Sequence, residues 1–259
     1  MYMPQSAVID SLRVALAAKQ ATVDALMEAF RAEDFPVVDG LTFDVLYKPA
    51  ATVERLGGDW YDIFLLPDGR VAFTLGDVCG RGLAAAVKMS QARQAIKVAA
   101  SLAVEGSMPI AVLEQANKVI FLNGHHVQFT TAIYGVIDTA RHTITYACAG
   151  HHPPILAKMG REPVVLPNHG FALGVEVEMP DLIREHQFVY ESGMLFVLYT
   201  DGLIELNHDI DEGQASLLIA ARNAVESLAS KPAQFIVESV VTEEQTHPDD
   251  IAVLTIAFA

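Results

Sequence analysis

An α+β fold built on antiparallel sheets is predicted for this chain by three observations: short runs in which apolar and polar residues alternate, turn signals between neighbouring runs, and helical periodicity confined to separate blocks. Residues 6 to about 33 carry Val8, Leu12, Leu16, Val23, Leu26, Met27 and Phe30 with no proline among them, which predicts one or two amphipathic helices. Pro36 and the Asp39-Gly40 pair end that block. From Leu41 the texture changes to Phe43, Val45 and Tyr47, then Tyr61, Ile63 and Leu65, then Val71, Phe73 and Leu75, spaced by two as in strands. Pro67-Asp68-Gly69 lies between the second and third runs and predicts a hairpin.

Helical periodicity returns over 82–103, an alanine-rich stretch with Leu83, Val87, Ile96 and Val98, and over 109–122, opened by Pro109 at its first turn. Strand patterns are predicted over 130–138, 143–147, 155–158, 184–190 and 194–199, helices over 213–229 and 232–242, and a closing apolar strand over 251–258. Two helical blocks amid hairpin-connected strands give the α+β reading, divided into an N-terminal helical segment (1–38) and a main domain (39–259).

Composition narrows the function classes. With 259 residues and 52% hydrophobic content the chain can bury a large core. No uncharged apolar run reaches the roughly 18 residues of a membrane span, and the first residues lack a secretory signal, so a soluble, cytoplasmic protein without a membrane partner is expected. Cys79 and Cys148 are too few for a disulfide scaffold or a cysteine zinc knuckle. Against 32 Asp and Glu stand 17 Lys and Arg, and a net charge of −15 with no basic cluster opposes nucleic-acid binding.

Four short motifs set an aspartate beside glycine or a second acid at the edge of an apolar strand: Gly57-Gly58-Asp59, Gly76-Asp77-Val78, Thr200-Asp201-Gly202 and Asp249-Asp250-Ile251. Ionised carboxylates at the ends of buried strands are costly unless a cation balances them, and few Lys or Arg residues adjoin these four. Hard oxygen ligands suit Mg²⁺ or Mn²⁺, and the adjacent glycines let the backbone approach an ion or turn sharply. An acidic cluster of this kind is what a two-metal hydrolytic site requires, where paired ions lower the pKa of a bridging water and neutralise a transferring phosphoryl group.

In these motifs the chain resembles the metal-dependent protein phosphatases, and within them the bacterial branch named after the sporulation phosphatase SpoIIE, which includes the RsbU-like regulators. The resemblance covers about residues 39 to 259. It is carried by Tyr47-Lys48-Pro49-Ala50, Gly57-Gly58-Asp59-Trp60-Tyr61-Asp62, Leu66-Pro67-Asp68-Gly69-Arg70 and the run from Gly76 to Ala85. Further carriers are Thr130-Thr131-Ala132-Ile133-Tyr134, Ala149-Gly150-His151-His152-Pro153-Pro154, Leu173-Gly174, Tyr199 to Glu205, and Asp249 to Val253.

The resemblance implies a sandwich of two antiparallel sheets flanked by helices, with a metal cluster at one rim. It implies catalytic roles for Asp59, Asp77 and Asp201. Asp59 and Asp77 would hold two or more Mn²⁺ or Mg²⁺ ions with the Val78 carbonyl, and Asp201 with Asp249 or Asp250 would close the opposite side, Asp249 being favoured. The activity implied is hydrolysis of phosphoserine or phosphothreonine on a bacterial regulatory protein, such as an anti-sigma-factor antagonist, by a dimetal-bridged hydroxide. The alternatives are a catalytically silent binding module of the same fold and a hydrolase of small phosphoesters.

Cys79 and Arg81 depart from the Ser and His often found there in the family. Arg81 and Arg55 are each read either as phosphate-attracting groups or as surface charges. Cys79 reads as a packed residue, Trp60 and Tyr61 as strand packing, and His151-His152 as a turn motif rather than a zinc site. The stripe from Val8 to Phe30 either packs on its own domain or forms a helix for homodimer or activator binding.

Overall fold

The computed structural model describes residues 13–14, 16–18, 21–23, 25, 34–50, 57–103, 108–123, 129–178, 183–206, 209–242 and 247–259. Of the predicted N-terminal stripe only Leu16 and Val23 fall among them, and Leu16 is exposed. The elements, in order, are β1 (Leu41–Lys48), β2 (Trp60–Leu65), β3 (Val71–Val78), α1 (Gly82–Leu102), α2 (Pro109–Asn123), β4 (Thr130–Asp138) and β5 (Thr143–Ala149). There follow β6 (Ile155–Lys158), β7 (Val164–Val165), β8 (Glu185–Val189), β9 (Met194–Tyr199), a 3-10 turn (Asp201–Leu203), α3 (Ile210–Glu226), α4 (Pro232–Val240) and β10 (Ile251–Phe258).

Two five-stranded antiparallel sheets form, one in the order β1-β10-β9-β6-β7 and the other β2-β3-β4-β5-β8. The architecture expected from the family resemblance, a sandwich with flanking helices, is the one observed. Period-2 alternation explains the layering. On β10, Ala252, Leu254 and Ile256 face the other sheet together with Phe73, Leu75, Ile133 and Phe196. The alternate residues Ile251 and Val253 face α3 and α4, whose Leu217, Ala221, Ile236 and Val237 complete a second apolar layer. A third layer lies between the β2-β3-β4-β5 face and helices α1 and α2, built on Trp60, Phe64, Met89, Ile96 and Leu113. Central strands are therefore apolar on both faces, and this is why β10 reads as a continuous hydrophobic run.

The β2–β3 hairpin forms as predicted. Leu66 N donates to Arg70 O at 2.8 Å, and Gly69 occupies φ +85°, a left-handed turn position open to glycine. Boundaries shift where tertiary contacts decide. Helix α3 starts at Ile210 rather than 213, because the Asp209 side chain accepts from Glu212 N at 3.1 Å and caps it. It ends at Glu226, and α4 ends at Val240, each short of the predicted limit. Strand β7, two residues paired with Ile155 and Leu156, was not expected.

Candidate metal centre

All four acidic motifs meet at one rim. Strands β2 and β3 are antiparallel, with Trp60 opposite Gly76, so Asp59 just before β2 lies beside Asp77 near the end of β3. In the other sheet Tyr199 is opposite Val253, so Asp201 just after β9 lies beside Asp249 and Asp250 just before β10. A hydrogen bond joins the halves: Thr200 Oγ1 donates to Asp59 Oδ2 at 2.6 Å. The same hydroxyl oxygen accepts from Ala252 N at 2.8 Å, and Thr200 is fully buried.

Glycines permit this convergence. A Cβ on Gly57 would overlap the Asp250 carboxylate, and one on Gly58 would overlap the Val78 carbonyl oxygen. The Gly57-Gly58 segment thus lies directly against both the Asp250 and Asp77-Val78 edges. Asp250 is buried, and its Oδ1 accepts from Ala50 N at 2.7 Å. Asp249 is more open: its Oδ1 accepts from Asp250 N at 2.9 Å, and its Oδ2 lies 3.7 Å from the Arg81 guanidinium. Both partners of that ion pair are exposed, so it balances little of the charge.

The carboxylates are electrostatically strained. Burial, then Asp201 and Asp249, push Asp77 up to about 7, although a hydrogen bond with Asp59 opposes this. Burial, then the charge of Asp77, raise Asp59 well above the usual carboxylate range, against the Thr200 hydrogen bond. Asp201 is raised by burial, Asp249 and Glu205, and Asp250 by burial before its backbone partners lower it. Among the described residues no three acidic, imidazole or thiol side chains are, as they stand, gathered so as to hold a metal ion. The donor set nevertheless fits a hard divalent cation, being all carboxylate and carbonyl oxygen in a region where protons are the competing partner.

The flanking residues have defined places. Val78 is buried, and its N donates to Gly58 O at 3.2 Å. Cys79 is half-buried, with its N donating to Phe129 O at 3.1 Å. The Trp60 ring is buried over Gly76, and Arg55 lies outside the described residues. Besides Thr200, three contributors were not foreseen: His151, His152 and Glu205. His151 is buried, with Nε2 3.1 Å from Tyr199 O and Nδ1 2.9 Å from Thr131 Oγ1. Burial pushes it down to about 3, so the ring is neutral. A carbonyl can only accept, so Nε2 carries the proton and Nδ1 accepts from the threonine hydroxyl. His152 stacks on Tyr199 at 5.9 Å and, with Glu205, interacts electrostatically with Asp201. The visible signal for these was the His151-His152 and Tyr199-to-Glu205 motifs.

The family model described as stage II sporulation protein E (SpoIIE) matches residues 67–259. The chain belongs to the SpoIIE family. That SpoIIE match includes Asp77, Asp201, Asp249 and Asp250 and leaves Asp59 to be joined through Thr200. Phosphoserine phosphatase RsbU of Bacillus subtilis (strain 168) is 28% identical over 171 residues, covering 66% of this chain and 48% of RsbU. Protein IcfG of Synechocystis is 28% identical over 205 residues, covering 70% of this chain and 31% of IcfG. The chain thus spans less than half the length of either relative. The structure of the RsbU and RsbW domains of a Mycobacterium tuberculosis protein matches with a TM-score of 0.76 at 26% identity, over 88% of this chain and 63% of that one.

Proposed function

We propose that this SpoIIE-family chain is a metal-dependent protein serine/threonine phosphatase acting on a phosphorylated bacterial regulatory protein. The observation that carries the reading is the convergence of Asp59, Asp77, Asp201 and Asp249 at one rim, where burial and then repulsion from the neighbouring carboxylates push Asp77 up to about 7. Bound cations would relieve that repulsion, and the similarity to RsbU, a phosphoserine phosphatase, supports the reaction class.

Asp59, Asp77, the Val78 carbonyl, Asp201 and Asp249 are the proposed holders of two or more Mn²⁺ or Mg²⁺ ions. Those ions, when bound, supply an activated water and neutralise charge on the phosphoryl group. Asp249 is preferred to Asp250 because the Asp250 carboxylate is buried against the Ala50 amide, whereas Asp249 keeps Oδ2 toward the open rim. Asp250 then anchors the chain on both sides of residues 51–56. Thr200 orients Asp59, and its hydrogen bond favours the ionised carboxylate. Arg81, exposed beside Asp249, is the proposed group that draws a phosphate toward the rim.

The test is release of phosphate from a phosphoserine peptide and from a small aryl phosphate, with Mn²⁺, with Mg²⁺ and with excess EDTA. Metal-dependent turnover of the peptide is expected, abolished by chelator and reduced at least about a hundredfold by Asp201→Asn. Equal rates in EDTA would overturn the metal mechanism. Metal binding without turnover of either substrate would make the chain a silent binding module instead.

A further inference from the structure

We infer that His151 is a positioning residue that sets the span of the metal centre, because its imidazole links the strand pair carrying Asp77 to the segment carrying Asp201. The inference rests on the metal-site reading above and adds a side chain that would touch neither cation nor substrate. The centre is divided between two sheets, Asp59 and Asp77 on one and Asp201 and Asp249 on the other. The chain passes between the sheets at this rim from β1 to β2 and again from β5 to β6, and His151 lies in the second crossover.

Local structure aims the ring inward. Gly150 turns the chain at φ +67°, and a Cβ there would sit 2.8 Å from Ala172 N, so the turn favours glycine on both counts. Gly150 also bridges Ala132 in parallel, and the Asn168 side-chain amide donates to His151 O at 2.9 Å. With its backbone held, the ring reaches both sheets. Nε2–H donates to the carbonyl of Tyr199, two residues before Asp201, at 3.1 Å. Nδ1 accepts at 2.9 Å from Thr131 Oγ1, and Thr131 is the register partner of Asp77.

The path from Asp77 through Thr131, His151 and Tyr199 to Asp201 is therefore one cross-strand pair, two hydrogen bonds and one short stretch of chain. A planar ring with a defined tautomer is a rigid spacer, and ligand sites lose affinity when their supporting groups are loosened. Glutamine can imitate the ring, with its amide N–H toward Tyr199 and its carbonyl toward Thr131. Alanine removes both bonds, and Thr131→Val removes only one.

The experiment uses the full chain, measuring Mn²⁺ binding by calorimetry, thermal unfolding in EDTA, and peptide turnover. His151→Ala is expected to weaken Mn²⁺ binding about tenfold or more, Thr131→Val to weaken it severalfold, and His151→Gln to restore most of the loss. Thr131→Val should leave the melting temperature in EDTA within about 3 °C of wild type. The peptide KM at saturating Mn²⁺ should be unchanged in Thr131→Val. Wild-type Mn²⁺ affinity in Thr131→Val, or a loss of melting temperature without loss of affinity, overturns the positioning role. If His151→Ala does not fold, Thr131→Val and His151→Gln decide it. Failure of the metal reading itself is separate: wild type would then bind no Mn²⁺, or Asp77→Asn would bind it as well as wild type.

Discussion

Replacing Asp77 by Asn should stabilise the metal-free protein while destroying its response to metal. Asp77 is held at about 7 in the fold, first by burial and then by Asp201 and Asp249, against an ordinary value of 3.8. The folded state therefore binds this proton more tightly than the unfolded state, and stability is lost as pH rises from about 4 to about 7. The full interval corresponds to about 4 kcal/mol, of which roughly 3 kcal/mol falls above pH 5. Asparagine keeps the volume and removes the charge, so this pH-dependent cost disappears in the variant. At roughly 2–4 °C per kcal/mol for a chain of this size, the melting temperature of Asp77→Asn should gain several degrees on wild type between pH 5 and pH 8. The assay is thermal unfolding in EDTA at both pH values, repeated with saturating Mn²⁺. Mn²⁺ should raise the wild-type midpoint at pH 8 and leave the variant unmoved. Parallel pH profiles for the two proteins in EDTA would refute the electrostatic argument.

Gly57→Ala places a methyl group on the Asp250 carboxylate, so a loss of at least about 3 kcal/mol in urea unfolding is expected, and a neutral result would show that this segment yields freely. Lys97 on α1 lies 3.7 Å from the buried Asp62 carboxylate on β2. Lys97→Met should therefore cost about 3 kcal/mol by equilibrium unfolding, and a change under 1 kcal/mol would mean that other groups satisfy Asp62. Deleting residues 1–34 should change molar mass by light scattering or the phosphatase rate, if the N-terminal stripe serves a partner or a second copy. Both unchanged would reject that role.

Strands β4, β6, β9 and β10 have the limits their sequences predict, because turn residues bracket runs whose alternation or continuous apolarity matches the layers they occupy. The start of α3 was legible in principle, since Asp209 and Glu212 have capping-box spacing, but Gly213 mimics a boundary. In the fold Gly213 is a helical residue without a side chain where the helix crosses the Ile204 carbonyl. Strand β7 has no local signal, as Val164 and Val165 pair only because Ile155 and Leu156 present an edge. At the site, the acids stand out through their glycine neighbours. The parts played by Thr200 and His151 depend on which strands face each other across the sandwich, and no spacing within the chain encodes that.

The pairing of β1 with β10, which sets Leu41 opposite Phe258, also governs the order in which the molecule can assemble. During synthesis β1 emerges long before its partner, because all of β2 to β9 is made between them. Until β10 arrives, β1 and β9 each expose an unpaired edge, and the inter-sheet layer lacks Ala252, Leu254 and Ile256. The sheet carrying Asp201 therefore closes by a long-range step of the kind that makes folding slow and nascent chains prone to association. Stop codons or proteolytic cuts only a few residues before Phe258 should consequently yield aggregates rather than a trimmed, working domain.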